Sequence, residues 1–447
     1  MQLGTEVLPR TFRTHRSGLI AAALAAALVA LAFIVPRISG EHFRSSLYAG
    51  AAPIFGNWLP HIGWGSGPAI VIALLVIGYG PALAARLSWR PLLGAAYLTS
   101  LGWAFALAMV DGWRRGFTDR LLDPNEYLKE VRGVTDIPAM LRGFTGRILD
   151  FQPDSWTTHV SGHPPGALLF FVLLDRVGLV GGAWAAVACL LIGCSAVLAV
   201  AVTLRALGAE DRARAALPFL VLAPAAIWIA VSADAVFAGV TAWAVALLAC
   251  ATSEKPRVVM ALASGALFGL GIYLNYGLVL MALPAAAVLL SRRALWPVFP
   301  ALVGALLVVA AFTIAGFWWL DGYHLVVQRY YQGIASERPF GYWWWGNLAA
   351  TVCAVGLATP AALPRVLTRN TLRALNPAAL LVAASLAAIL AADASGLSKA
   401  ETERIWLPFT VWLLAATAFL PRPAARAWLA VQAAGALLLV HLILTNW

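Results

Sequence analysis

Apolar runs separated by short polar breaks repeat from residue 19 almost to the C-terminus. They fall at about 19–35, 68–83, 91–110, 183–204 and 295–317, on both sides of Ser232-Ala233-Asp234, and on both sides of a turn near Asn275-Tyr276. A further run follows Tyr342 down to Arg365, another pair turns at 393–404, and a last one ends at Trp447. Most are roughly 17 to 25 residues long, enough to cross a hydrocarbon core of about 30 Å as a helix. Lipid offers the backbone no hydrogen-bond partner, so each run must satisfy its own amides as a helix. The pattern predicts an all-α polytopic transmembrane bundle of about 12–14 spans.

Two polar stretches interrupt this rhythm. The break at 111–161 is too long for a simple connector and too polar to lie in lipid. Within it Ile137, Leu141, Phe144 and Ile148 recur at helical spacing, with Arg142 and Arg147 on other faces, which predicts an amphipathic helix on the membrane surface. The second break, 318–342, reads as another loop. The chain is expected to be one integral membrane domain over 1–447, with three spans in 1–110, a polar loop over 111–163 and the rest of the bundle over 164–447. No repeat and no separable soluble domain is visible.

Arginine placement orients the spans. Arg10, Arg13 and Arg16 precede the first run, which by the positive-inside rule puts the N-terminus in the cytoplasm. No convincing small-residue cleavage site follows, so that run reads as a retained span. The clusters at Arg86 and Arg90, at Arg205, Arg212 and Arg214, around Glu254, Lys255 and Arg257, at Arg292-Arg293, at Arg365, Arg369 and Arg373, and at Arg422 and Arg426 would share that side. These assignments conflict at one place. If all are cytoplasmic, residues 164–178 must enter and leave on the same side, as a half-helix would; if that segment crosses, the Arg205 to Arg214 loop lies outside.

Composition narrows the class further. Of 447 residues 62% are hydrophobic and only 11% charged, which excludes a soluble globular domain. A net charge of +11 would suit nucleic acid, but the arginines sit in short clusters between apolar runs and no basic domain exists to hold a duplex. The lipid bilayer is the partner they imply, and many of the 19 Trp flank the runs where interfacial rings belong. Cys189, Cys194, Cys250 and Cys353 all lie inside apolar runs without metal-type spacing, so buried thiols are expected.

Most remaining polar residues gather in three segments that the topology puts on one external face: 111–163, 321–338 and 398–404. Asp234 and Asn275 join them at helix ends facing that side. His159 and His163 are four apart, but Pro164-Pro165 bars the α conformation at His163 and favours a helix starting just after it. That places His163 at a helix mouth on the water–lipid boundary. Asp234, with apolar neighbours on both sides, is expensive unless it faces the bundle interior, although helix-end hydrogen bonding is its ordinary role. Asp119, Asp123 and Asp136 read as solvated or capping. Acids, histidines and arginines converging on one face point to an active site for a lipid-linked anionic substrate, whereas a transport path would scatter them through the membrane depth.

These residues carry a resemblance. Asp111 at the end of an early span, the stretch Asp123-Pro124-Asn125-Glu126-Tyr127, and His163-Pro164-Pro165-Gly166 opening the next helix resemble, in that order, the GT-C class of integral-membrane glycosyltransferases, in its mannosyltransferase-like branch. Asp234 after a proline-containing helix and the late Glu403-Arg404-Ile405-Trp406-Leu407 are similar to bacterial, particularly actinobacterial, members. The likeness spans most of the chain as a pattern of spans and loops, but its motifs are short. One departure stands: two spans precede the one ending at Asp111, whereas the family's acid follows the first, which makes Glu41 a rival.

The resemblance implies transfer of a sugar such as mannose or arabinose from a polyprenyl-phosphate donor to a cell-envelope glycan, glycolipid or protein at the extracytoplasmic face of the plasma membrane. Such transfer needs a base for the acceptor hydroxyl and a cation or donors for the departing phosphate. Asp111 or Glu126 would be the base, and inversion follows from a carboxylate opposite the leaving group. His163 would share the catalytic site, and His159, Tyr127, Asp234, Arg338, Lys399, Glu403 and Arg404 would bind substrate. Arg404 would equally well form a structural bridge with Glu401 or Glu403. Tyr330, Tyr331 and Trp343 to Trp345 fit a membrane-interface belt or a sugar platform. The sequence requires no cofactor and shows no metal motif; a divalent cation held between carboxylate and phosphate would leave little trace. The rival readings are a transporter or flippase of lipid-linked saccharides and a catalytically silent assembly subunit.

Overall fold

The computed structural model describes residues 10–253 and 257–446, with side chains from residue 16, so Glu254, Lys255 and Trp447 lie outside the described residues, as do the side chains of Arg10 and Arg13. The chain is an all-α polytopic bundle. Seven helices are long and apolar enough to cross a membrane: Arg16–Ile38, Ser66–Arg86, Trp89–Ala108, Gly182–Ala206, Ala233–Ala251, Pro377–Ala394 and Arg422–Leu442. Two bent pairs also pass, Val298–Ile314 with Trp319–Gln332 and Phe340–Val355 with Ala358–Val366, and three shorter apolar helices complete the set, Val258–Leu274, Tyr276–Arg292 and Leu407–Phe419. By length and composition this makes seven candidate spans among the described residues, or up to nine if each bent pair is one span, fewer than the about 12–14 expected.

Burial separates the bundle's centre from its lipid face. Ala233–Ala251 has 78% of its apolar window buried, against 22% for both Arg16–Ile38 and Ser66–Arg86. Asp234 therefore stands near the start of the innermost helix, where a carboxylate in the first turn also meets the positive end of the helix dipole. The outer helices leave their leucines and isoleucines exposed, as lipid-facing positions should be.

Contacts at the helix ends sort the chain into two faces. On one, Arg214 donates to the carbonyls of Ala84 and Leu87, Arg205 and Arg214 lie over the Trp89 ring, and Arg212 donates to Ala418. On the other, the loop 111–163 meets the C-terminal strand Ile443–Thr445, which pairs antiparallel with Gly56–Trp58 as the only sheet among the described residues.

The short helix Pro165–Arg176 belongs wholly to this second face. Its 12 residues span about 18 Å, too little for a core of about 30 Å. Arg176 at its far end donates to the loop carbonyls of Val134 and Thr135 at 2.8 and 2.7 Å. The following helix, Gly182–Cys194, starts against residues 114–122 of the same loop. Residues 164–181 thus begin and end against the same polar loop, the arrangement that the half-helix alternative requires.

The polar loop is largely helical. The expected amphipathic helix appears as Ile137–Gly143 followed by a 3-10 turn, Thr145–Arg147. Leu141, Phe144 and Ile148 are buried, but against protein: Phe144 packs on Trp156 and on Phe317. Asp136 caps it by accepting from the Ala139 amide (3.0 Å), the capping role among those expected of it, and Asp123 accepts from the Asn125 amide (2.9 Å) in a local turn rather than a helix cap. The loop 318–342 is likewise a helix, Trp319–Gln332, set at 75° to the span before it. Gly316 makes that corner with φ +101°, a conformation closed to most side chains, and a Cβ there would lie 2.5 Å from Arg142 of the surface helix.

Candidate functional site

Pro165 opens the helix Pro165–Arg176 and Pro164, extended at φ −62° and ψ 160°, caps it, so His163 sits just outside the helix mouth as its two prolines require. Gly166 lets the mouth press on a neighbour, since a Cβ there would lie 2.5 Å from the Tyr273 carbonyl. His159 occupies the preceding short helix, Thr158–Ser161, and its ring stacks parallel to that of His163 with centroids 6.5 Å apart. The His163 Nδ1 lies 2.8 Å from the His159 carbonyl and 2.9 Å from the Tyr127 hydroxyl. A carbonyl only accepts, so Nδ1 carries the proton and the neutral ring presents a lone pair at Nε2. Burial pushes both imidazoles below their ordinary value, which keeps them neutral.

Glu126 and Tyr127 come from the turn before helix Leu128–Val131. Tyr127 stacks on Phe171 (centroids 5.1 Å), which brings Glu126 under the histidines, its Oε1 3.7 Å from His159 Nδ1. Glu126 is 2% exposed and its Oε2 has no hydrogen-bond partner. Burial pushes its carboxyl up to about 8, against the pull of the Arg404 charge.

Arg404 closes the cluster from the other side of the chain. It donates to Asp234 Oδ2 at 2.6 Å and to Glu401 Oε2 at 2.7 Å. Burial opposes its charge, but the carboxylates of Asp234, Glu401 and Glu126 overcome that and hold the guanidinium ionised. Asp234 is 1% exposed and its Oδ1 again lacks a hydrogen-bond partner. Two buried carboxylates thus each present one bare oxygen around a fixed cation. Such oxygens are costly unless something else fills the place.

The segment carrying Arg404 is held under strain. Ala400 and Glu401 have φ of 72° and 62°, the left-handed region, which costs about 1–2 kcal/mol per residue for a side chain. Asn347 holds the turn: its Nδ2 donates to Asp393 (2.8 Å) and the Ser398 carbonyl (2.7 Å), while its Oδ1 accepts from the Ala400 amide (3.3 Å). Arg338 adds a strap, donating to the carbonyls of Leu47, Tyr48 and Lys399, and it lies 3.6 Å from Glu401. Lys399 donates to the Ala335 carbonyl (2.9 Å). Glu403 is fully buried and accepts from the Phe55 amide at 2.8 Å, and burial pushes its carboxyl up to about 7 against that bond.

The structure thus brings Glu126, Tyr127, His159, His163, Asp234 and Arg404 into one cluster, sets Arg338 and Lys399 beside it as holders of loops, and places next to Arg404 a third buried carboxylate, Glu403, whose Oε2 is likewise unpaired. Of the two expectations for Arg404, the bridge to Glu401 is present, joined by Asp234. Asp111 goes elsewhere: its oxygens accept from His61 Nε2 and Arg120 Nη2, both at 2.7 Å, and Arg120 also donates to the Thr445 carbonyl. Glu41 is 79% exposed and pairs only loosely with Arg44, at 3.7 Å. Asn275 caps its turn by accepting from the Gly277 amide. Trp343 is buried, Trp344 half exposed, and Tyr330 accepts from the Lys399 amide (3.0 Å), so these rings divide between packing and interface. Asn347 was missed, though a lone amide inside the apolar stretch 343–355 was its signal. Among the described residues no three His, Cys, Asp or Glu side chains are grouped to hold a metal ion, and the four cysteines are free thiols.

Comparison with protein-family profiles, with curated proteins and with solved structures finds no match to this chain.

Proposed function

We propose that this multi-pass membrane protein is a glycosyltransferase of the GT-C type, which moves a sugar from a polyprenyl-phosphate donor to an envelope glycan or glycolipid. The observation that carries this reading is the pair of buried carboxylates, Glu126 and Asp234, each with a bare oxygen beside the fixed Arg404 cation, at the membrane face that bears the polar loops. In this reading that face is extracytoplasmic, and the N-terminus and arginine clusters are cytoplasmic.

Glu126 is the base. It takes the proton of the acceptor hydroxyl as that oxygen bonds to the anomeric carbon, and the bond to the phosphate oxygen breaks with its electron pair leaving on the polyprenyl phosphate. Attack opposite the leaving group inverts the centre. Arg404 supplies positive charge for the leaving phosphate, and the Nε2 lone pair of His163 accepts from a sugar hydroxyl. Asp111, with both oxygens already engaged, becomes a structural acid.

A second reading, a transporter or flippase of lipid-linked saccharides, draws on the placement of Asp234 at the start of the most buried span, ion-paired to a loop. One experiment separates the two. Purified protein in nanodiscs is offered radiolabelled polyprenyl-phosphate sugars with envelope acceptors, and in parallel is reconstituted in liposomes to follow movement of the lipid-linked sugar. Transfer that disappears in Glu126→Gln supports the enzyme; movement without transfer supports the carrier; neither activity, with Glu126→Gln tolerated in cells, leaves the assembly subunit.

A further inference from the structure

A cavity of about 400 Å³ opens where the first span ends, and no residue of the Glu126–Arg404 cluster lines it. Phe33 and Ile34 of that span form one wall and Trp58 of the strand Gly56–Trp58 another, while Arg37 and Arg44 supply its charge. No Asp or Glu lines it. Arg37 donates to the Phe33 carbonyl and its guanidinium lies 5.8 Å from the Phe33 ring. Arg44 is 52% exposed and pairs with Glu41 at 3.7 Å, a solvent-exposed contact that competes only weakly for its charge.

The cavity's position narrows what can occupy it. Arg16 marks one end of the span Arg16–Ile38, and Arg37 and Arg44 mark the other, at headgroup depth whichever compartment lies there. Ile34 and Ile38 are 49% and 76% exposed beside the cavity and Trp58 is 55% exposed, a lipid-facing wall topped by an interfacial ring. A soluble anion would use the arginines but not the wall; a neutral lipid would use the wall but not the arginines. We propose that this cavity binds an anionic, phosphate-bearing membrane lipid with no compensating headgroup cation, its phosphate between Arg37 and Arg44 and its acyl or prenyl chain along Phe33 and Ile34. Guanidinium groups match phosphate oxygens in charge and in paired donor geometry. The inference stands independently of the enzyme reading, since it uses none of the buried cluster.

The test is lipid retention by purified protein. Native mass spectrometry follows binding of phosphatidylglycerol and, separately, phosphatidylcholine to wild type, to an Arg37→Gln/Arg44→Gln variant and to Ile34→Trp, which fills the wall and leaves the charges alone; inorganic phosphate is the competitor. Phosphatidylglycerol should be retained on wild type, with about tenfold weaker affinity or more in both variants, the loss of at least one charge-assisted contact. Arg86→Gln/Arg90→Gln at the opposite face should bind as wild type. Equal retention by wild type and Ile34→Trp, equal retention of the two lipids, or complete displacement by millimolar inorganic phosphate would each overturn the proposal. Melting temperature in phosphatidylcholine confirms that each variant is folded, and Ile34→Trp decides the matter if the arginine variant is not.

Discussion

Two buried acid clusters share one end of this bundle, joined by the same loop, whose Phe55 amide reaches Glu403 and whose His61 reaches Asp111. Each sets a carboxylate against a buried arginine with a histidine nearby. In the first, both oxygens of Asp111 are satisfied, by His61 and Arg120, and Arg120 goes on to tie down the C-terminal Thr445. In the second, Glu126 and Asp234 each keep an oxygen unpaired. Engaged oxygens favour a structural role for Asp111, although the Arg120 Nε has no partner, whereas unpaired oxygens leave room for a ligand's donors. Residue type does not distinguish them; the count of satisfied oxygens does.

The most severe way to disturb the contrast is Arg404→Leu. Removing the cation leaves Asp234 buried and unpaired, while Glu401 keeps Arg338 at 3.6 Å, an effect of about 3–5 kcal/mol. We expect a large fall in melting temperature and complete loss of activity; a stable, active variant would remove Arg404 from the centre of the site.

Glu126→Gln should separate chemistry from stability. A missing general base lowers transfer by about 10²–10⁴-fold, and no comparable loss of folding is expected. The pH dependence has a definite sign. A carboxyl that ionises at 4.5 in the unfolded chain and about 8 in the folded one holds its proton more tightly when folded, so the wild type loses stability as pH rises through that window. Denaturant titrations across it should show the decline in wild type and a flatter profile in Glu126→Gln, while wild-type transfer rises with pH through about 8.

Asp111→Asn is the counterpart. It strands Arg120, whose guanidinium burial already pulls down to about 10 against the attraction of Asp111, so we expect a cost of about 3 kcal/mol in stability with unchanged activity per folded molecule. Loss of activity in a fully folded Asp111→Asn would reverse the roles of the two clusters. The smallest expected effect is Ala400→Gly, which relieves φ 72° at some entropic cost and should raise stability by up to about 1 kcal/mol, read as a modest rise in melting temperature.

Much of the arrangement is visible from residue order. The prolines alone place His163 outside a helix, and the spacing of Leu141, Phe144 and Ile148 marks a buried face. The partner of that face was misplaced, because a helix over protein and a helix over lipid have the same stripe; Phe317, far along the chain, decides between them. Asp111 and Glu126 both stood as candidate bases for the same reason, since a sequence shows an acid but not what fills its lone pairs.

By itself the sequence determined that this chain is a helical membrane bundle, because transfer of a backbone segment into lipid is decided by the segment's own residues. It also determined that acids and histidines gather at one end, since few could remain inside. Only the tertiary structure decided that residues 164–181 begin and end against one polar loop, that Arg404 meets Asp234 across 170 positions of chain, and that Asp111 is closed while Glu126 is open. Those outcomes depend on hydrogen-bond partners brought together by packing, and the energy of a buried charge lies in its partners rather than in its neighbours along the chain.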